Sequence, residues 1–465
     1  MRLWGILFFT VLLCACNNTP PDIIIDGILE VPENRDDPDS RTLKLAYKVL
    51  KAKDTNSRKA PIVYLQGGPG AETLIMEEFW SDHPLRNDRD IVLMDQRGTG
   101  QSEANCTELG NSLFDLMRQD LDIEDDYNAS RAQLDRCREA IKQKGVDLAG
   151  YNSRENAADF EDLRKALGYD KWNLFGASYG TRLGLTIMRD FPNSVRSSIL
   201  AGVLAPESDL FGDRIRSIDS SLFTVLRRCE ENKDCNNRYP NLKERLLKVL
   251  KALESNPLRF DYKNKPFVLN LQDVFPILNV VLYDRQSIAN VPLFIEALEN
   301  GETEIIIAHL SAFESLYSFV NLPMLYSVTA YEEFPFYNAQ DTEKAILQSK
   351  IGYAHTAHNL LAKLLADWHP FRATDIENQA VVSDIPTLMV SGRLDPATPV
   401  SNAAGAVKNF INGYEVIFQD ESHHFYNSCF FQIAEDFLNN PGHKPNMDCS
   451  LERNPIEWNL SNPLQ

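Results

Sequence analysis

Residues 172–190 restrict the fold more than any other stretch. A strand-like run, Trp172 to Phe175, passes through Gly176-Ala177-Ser178-Tyr179-Gly180 into a helix-like run, Tyr179 to Asp190. A serine at such a strand-to-helix corner projects its hydroxyl outward, and small residues on either side let strand and helix approach closely. The arrangement suits a nucleophile, because a serine hydroxyl is weak until it is held against a base. Five residues of this kind also arise by chance, so the rest of the chain must supply the base, the acid and the sheet.

In chain order, Ile23 to Leu29 and Thr42 to Leu50 predict an opening antiparallel hairpin. Pro61 to Leu65 is a short buried-strand pattern that runs into Gln66-Gly67-Gly68-Pro69-Gly70. Three glycines in five residues allow backbone N–H groups to come close to a ligand, although the same residues also suit a plain turn. A further strand, Asp90 to Met94, leads into Asp95-Gln96-Arg97-Gly98-Thr99-Gly100-Gln101-Ser102, where Asp95 and Arg97 read as loop-fixing rather than chemical. Residues 105–150 form a polar, mostly helical excursion. Ser153 to Leu167 predicts a helix capped by Ser153 and stopped at Gly168.

The pattern changes between about Pro206 and Val381, where amphipathic helices dominate, as at Leu242, Leu246, Leu247, Leu250 and Leu253. Strand logic resumes at Ile385 to Val390, followed by Ser391-Gly392-Arg393-Leu394-Asp395-Pro396. The run Tyr414 to Phe418 ends in Gln419-Asp420-Glu421-Ser422-His423-His424. The implied organisation is α/β with a mostly parallel central sheet. Residues 17–40 form a tether and first strand, 41–205 and 382–465 two parts of one core, and 206–381 an inserted helical lid over the catalytic face.

Asp395 and His423 each follow a strand, at the carboxyl ends where open α/β sheets place their ligand sites. Ser178 would attack a carbonyl, His423 would take its proton, and Asp395 would orient the imidazole. The Tyr179 N–H, directly after the nucleophile, would meet the oxyanion. Asp384 and Asp420 compete with Asp395, and His424 with His423. No metal or organic cofactor is required by this chemistry.

A net charge of −19 argues against nucleic acid, whose phosphates would be repelled. After Arg2 comes an apolar run, Leu3 to Ala15, too short to span a bilayer and suited to an export signal. Its end, Leu13-Cys14-Ala15-Cys16, resembles the lipobox of bacterial lipoproteins. This implies a signal peptide over 1–16, lipidation of Cys16 and membrane attachment through that lipid; Asn17 points to the outer membrane. Of eight cysteines, setting aside Cys14 and Cys16 leaves six, an even number suited to disulfides in an oxidising compartment. Locality favours Cys229 with Cys235, Cys106 with Cys137 and Cys429 with Cys449. None of the spacings is that of a structural zinc site.

Taken together, Q-G-G-P-G (66–70), D-Q-R-G-T-G-Q-S (95–102), G-A-S-Y-G-T (176–181) and S-G-R-L-D-P-A-T-P (391–399) resemble the prolyl-aminopeptidase and tripeptidyl-aminopeptidase branch of the serine α/β-hydrolases. The resemblance implies an exopeptidase acting on the free N-terminus of short peptides, with Gly68 supplying the second oxyanion N–H. It also matches Cys429 and Cys449 to paired cysteines of the tripeptidyl group. Gln66 stands where prolyl aminopeptidases have His, which favours the tripeptidyl group. Pro396 stands where some prolyl members grip the substrate ammonium with Glu. A substrate entering amine-first still needs an acid, and Glu207, Glu332 and Glu333 are candidates, each also readable as solvated surface. The rival readings are a carboxylesterase or lactonase with the same triad, since acyl transfer to serine does not distinguish amide from ester, and a non-catalytic envelope lipoprotein that retains the fold.

Overall fold

A computed structural model describes residues 23–100, 104–352 and 356–460. The proposed signal segment with Cys16, and Gln101 and Ser102 of the second motif, lie outside the described residues.

Ten strands are described: β1 (Ile24–Pro32), β2 (Thr42–Leu50), β3 (Ile62–Leu65), β4 (Ile91–Met94), β5 (Trp172–Ala177), β6 (Val195–Ala201), β7 (Leu258–Tyr262), β8 (Lys265–Leu269), β9 (Thr387–Gly392) and β10 (Gly413–Phe418). Eight of them form one sheet in the order β1-β2-β4-β3-β5-β6-β9-β10. β1 and β2 pair antiparallel from Ile24↔Leu50 to Pro32↔Thr42, and β2 joins β4 antiparallel; the remaining pairings are parallel.

Side chains alternate across a strand, so a parallel strand covered on both faces must be apolar at nearly every position. Val63, Leu65, Val92, Met94, Leu174, Leu200 and Met389 enter one core. Their neighbours Ile62, Tyr64, Ile91, Leu93, Phe175, Ile199, Leu388 and Val390 enter another on the opposite face. The first core is closed by helices Ser153–Leu167 and Tyr179–Asp190 through Ala157, Phe160, Leu163, Leu183 and Ile187. The second is closed by Ser428–Asn439 through Phe430, Ile433 and Phe437, together with Trp80.

Between β6 and β9 the chain leaves the sheet and builds a third core of its own, lined by Ile218, Leu222, Leu246, Leu278, Phe294 and Leu310. The insertion is not wholly helical. β7 and β8 pair as an antiparallel hairpin whose two-residue turn, Lys263 and Asn264, has positive φ at both positions (51° and 61°). That is the type I′ geometry matching strand twist.

Among the described residues three disulfides are present: Cys106–Cys137, Cys229–Cys235 and Cys429–Cys449. Among the described residues, no helix is long and apolar enough to cross a membrane. Two local expectations are corrected. Asn152, not Ser153, caps the helix Ser153–Leu167, accepting from the Glu155 N–H at 2.9 Å, because the Ser153 hydroxyl is engaged with Glu332 at 2.8 Å. The sequence from Val400 to Phe410 predicts one continuous helix, but the helix ends at Ala406 and tightens into a 3₁₀ turn over Val407–Asn409.

Candidate active site

Ser178 stands at the corner between β5 and helix Tyr179–Asp190 with φ 54° and ψ −125°, a backbone conformation that side-chain-bearing residues seldom adopt. Its N–H donates to the Ala201 carbonyl at the end of β6 (2.9 Å), and its carbonyl accepts from the Thr181 N–H (2.8 Å) and hydroxyl (2.6 Å). The glycine at 180 is set by contact: a Cβ there would lie 1.9 Å from the Leu65 carbonyl oxygen, so any side chain would push the helix off β3.

The candidate acid and base, Asp395 and His423, meet at the ends of β9 and β10. His423 Nδ1 lies 2.8 Å from Asp395 Oδ2. The other donors to this carboxylate are the N–H groups of Ala397 (2.7 Å) and Thr398 (2.9 Å) on Oδ1 and the Thr398 hydroxyl (2.6 Å) on Oδ2. Burial would raise the Asp395 carboxyl, but the His423 charge, the His423 hydrogen bond and the Thr398 donors outweigh it and hold the group below its ordinary value. Facing an ionised carboxylate, Nδ1 carries the ring proton, which leaves Nε2 as the acceptor. Two residues of the insertion brace the loop that carries Asp395: the Ser221 hydroxyl donates to the Leu394 carbonyl (2.6 Å) and Ser217 donates to the Pro396 carbonyl.

Gly202 joins the two halves. It follows the Ala201 carbonyl that holds Ser178, it has φ +68°, and a Cβ on it would stand 3.3 Å from His423 Cε1 and 3.0 Å from Thr398 Oγ1. The imidazole therefore lies directly over Gly202, at the same end of the sheet as Ser178. The competitors sit elsewhere. Asp420 is held by Arg228 and Arg453, each at 2.7 Å, and Asp384 precedes β9 at the opposite end of the strand. His424 turns outward, and its N–H donates to the Tyr283 carbonyl (3.0 Å).

The glycine loop after β3 supplies Gly68. Among the described residues, neither the Gly68 nor the Tyr179 N–H donates to a backbone or side-chain acceptor, and Tyr179 opens its helix without a side-chain cap. Unfilled donors at this corner suit a developing oxyanion. The loop is held by groups that the sequence reading did not single out: Tyr64 donates to Gln66 Oε1 (2.7 Å), and Gln96 Nε2 donates to the Gln66 carbonyl (2.8 Å). Asp95 accepts the N–H groups of Thr73 (2.8 Å) and Leu74 (3.0 Å), and Arg97 grips Asp159 with two bonds of 2.7 Å; both fix loops, as expected.

The acidic candidates divide. Glu207 is exposed and makes no ion pair among the described residues. The expectation that Glu332 and Glu333 could be solvated surface is overturned, since both are buried against Arg182 of the helix Tyr179–Asp190, at 3.0 and 2.9 Å. Glu332 also accepts from Ser153, whose hydroxyl meets the Tyr179 hydroxyl at 2.8 Å. Two carboxylates share one guanidinium, and burial pushes Glu333 up to about 7, with Arg182 opposing and Glu332 adding. Among the described residues, no group of three or more His, Cys, Asp or Glu is arranged to hold a metal ion.

A family model described as the α/β-hydrolase fold matches residues 60–427, and the chain belongs to that family. Within it, the chain is similar to three curated enzymes. They are serine protease Hip1 of Mycobacterium tuberculosis (28% identical, 42% of this chain and 39% of that one), tripeptidyl aminopeptidase of Streptomyces coelicolor (27%, 42% and 38%) and proline iminopeptidase of Aeromonas sobria (28%, 41% and 41%). Each match thus spans well under half of the relative's length.

Proposed function

We propose that this protein is an extracytoplasmic serine peptidase that removes one residue, or a di- or tripeptide, from the N-terminus of short peptides. The observation that carries the reading is the placement of the Asp395–His423 pair over Gly202, beside the strained Ser178 corner and its two unfilled N–H groups. Ser178 Oγ attacks the scissile carbonyl carbon while His423 Nε2 takes the hydroxyl proton. The oxyanion is met by the Gly68 and Tyr179 N–H groups, and collapse expels the amine, which leaves with the proton from His423. Water, deprotonated by the same imidazole, then releases the acyl fragment and restores Ser178.

Similarity to two enzymes named as N-terminal peptidases and one named as a serine protease supports the peptide substrate. For the substrate ammonium, the surplus carboxylate at Glu332 and Glu333 is better suited than exposed Glu207, because a charge–charge contact is stronger away from water. The three disulfides support an oxidising compartment, and lipid attachment at Cys16 would place the enzyme on the bacterial envelope, at the outer membrane.

Digestion of a defined peptide library, read by mass spectrometry alongside acyl esters, tests the reading. Products that count from the N-terminus are the expected result. Turnover of esters with every peptide intact would overturn it in favour of a carboxylesterase or lactonase.

A further inference from the structure

The lid does more than cover the site, because one of its segments is fastened to the loop that carries the base. The Ser422 hydroxyl donates to the Leu282 carbonyl, the His424 N–H donates to the Tyr283 carbonyl (3.0 Å), and Asp284 bridges to His424 in parallel. Between these ties the Tyr283 ring packs edge-on against the His423 imidazole, with centroids 4.8 Å apart. The Tyr283 hydroxyl in turn accepts from Arg214 Nη2 at 3.2 Å. Arg214, in the lid helix Leu210–Glu231, is half-buried, and no carboxylate among the described residues pairs with it. Its helix neighbour Arg216, by contrast, meets Asp209, Asp213 and Asp341.

The position of this cation relative to the chemistry is fixed by the direction of proton transfer. His423 must hand its proton to the departing amine, so the leaving fragment departs beside the imidazole, against which Tyr283 packs and to which Arg214 is tied through the Tyr283 hydroxyl. Through Tyr283, Arg214 stands within about three extended residues of the imidazole, at roughly 3.6 Å each. Among the described residues four of its five N–H donors are uncommitted, and such a guanidinium matches a carboxylate by two parallel bonds.

We propose that Arg214 binds the C-terminal carboxylate of the substrate, so that the enzyme selects peptides short enough for their free C-terminus to reach it. The inference rests on the peptidase reading and adds to it the class of leaving group: one to three residues ending in a free acid.

The test compares tetrapeptides, which leave one to three residues whichever fragment is removed, carrying a free C-terminal acid with the same peptides amidated. In the wild-type enzyme the acids are expected to show kcat/KM about 10- to 100-fold higher, mainly through KM, as befits loss of a charge-assisted pair. Arg214→Met is expected to bring the acid-to-amide ratio close to one. Tyr283→Phe, which removes only the hydroxyl contact, keeps it. A purely structural Arg214 would affect acids and amides alike and leave the ratio unchanged, which overturns the proposal. Equal wild-type rates on acid and amide overturn it even if the Arg214 variant fails to fold. In that case the peptidase reading stands, whereas cleavage of neither peptide overturns both.

Discussion

Asp395→Asn isolates the part played by the acid with little change of shape. In the wild type, Oδ1 accepts two backbone N–H groups, at 2.7 and 2.9 Å, and Oδ2 accepts Thr398 Oγ–H and His423 Nδ1–H. An amide cannot satisfy all four donors. If its oxygen stays on the backbone pair, its NH₂ faces Nδ1, and the imidazole is forced to carry its proton on Nε2, where it cannot accept one from Ser178. If the amide flips, two buried backbone donors are left against an NH₂, at a cost of about 1–3 kcal/mol each, so the first arrangement is favoured. Loss of the productive tautomer is expected to lower kcat by about 10⁴, or roughly 5.5 kcal/mol of transition-state stabilisation. The assay is steady-state hydrolysis of an aminoacyl or tripeptidyl arylamide, with circular dichroism to confirm the fold. A loss below about tenfold in a folded variant would refute the tautomer argument and, with it, Asp395 as the orienting acid.

Other outcomes follow from the same geometry. His423→Ala is expected to abolish turnover, whereas His424→Ala, outside the Asp395 pair, costs less than about tenfold; the same arylamide assay separates them. Glu333 binds its proton more tightly folded than unfolded, so it contributes stability that is full below about 4.5 and is lost as pH rises through about 7. Chemical denaturation from pH 5 to 8 should therefore show the wild type losing on the order of 1–3 kcal/mol more than Glu333→Gln, and parallel profiles would contradict this. Replacing Cys429 and Cys449 by Ser opens a link spanning 20 residues and is expected to cost about 3 kcal/mol in the same measurement.

What could be read from the sequence was what depends on neighbouring residues. The strand patterns, the corner at Ser178 and the loops after β9 and β10 all rest on runs of fewer than about ten residues, where local sterics and apolar periodicity decide the outcome. The β7–β8 hairpin was also written locally, in the alternation Leu258, Phe260, Tyr262 ahead of Lys263-Asn264, but it is short and sits among strong helix patterns. The rest depends on partners distant in sequence. Glu332 and Glu333 look like surface acids until Arg182, about 150 positions earlier, is seen to draw them inward. Ser153 looks like a cap until Glu332 claims its hydroxyl. Tyr283 and Arg214 carry no local signal at all, because their place at the imidazole comes from the lid folding back onto the histidine loop. Thr398 stood inside a recognised motif, yet its role as a donor to Asp395 needed the turn to be seen.

Every proposed step begins at Ser178 as the activated nucleophile, and covalent labelling reads this directly. One equivalent of a fluorophosphonate should attach to the wild-type chain, map by peptide mass to the segment containing Ser178, and be lost in Ser178→Ala together with all peptide and ester turnover. Attachment at another residue, or hydrolysis that persists at more than about a thousandth of the wild-type rate in Ser178→Ala, would contradict it.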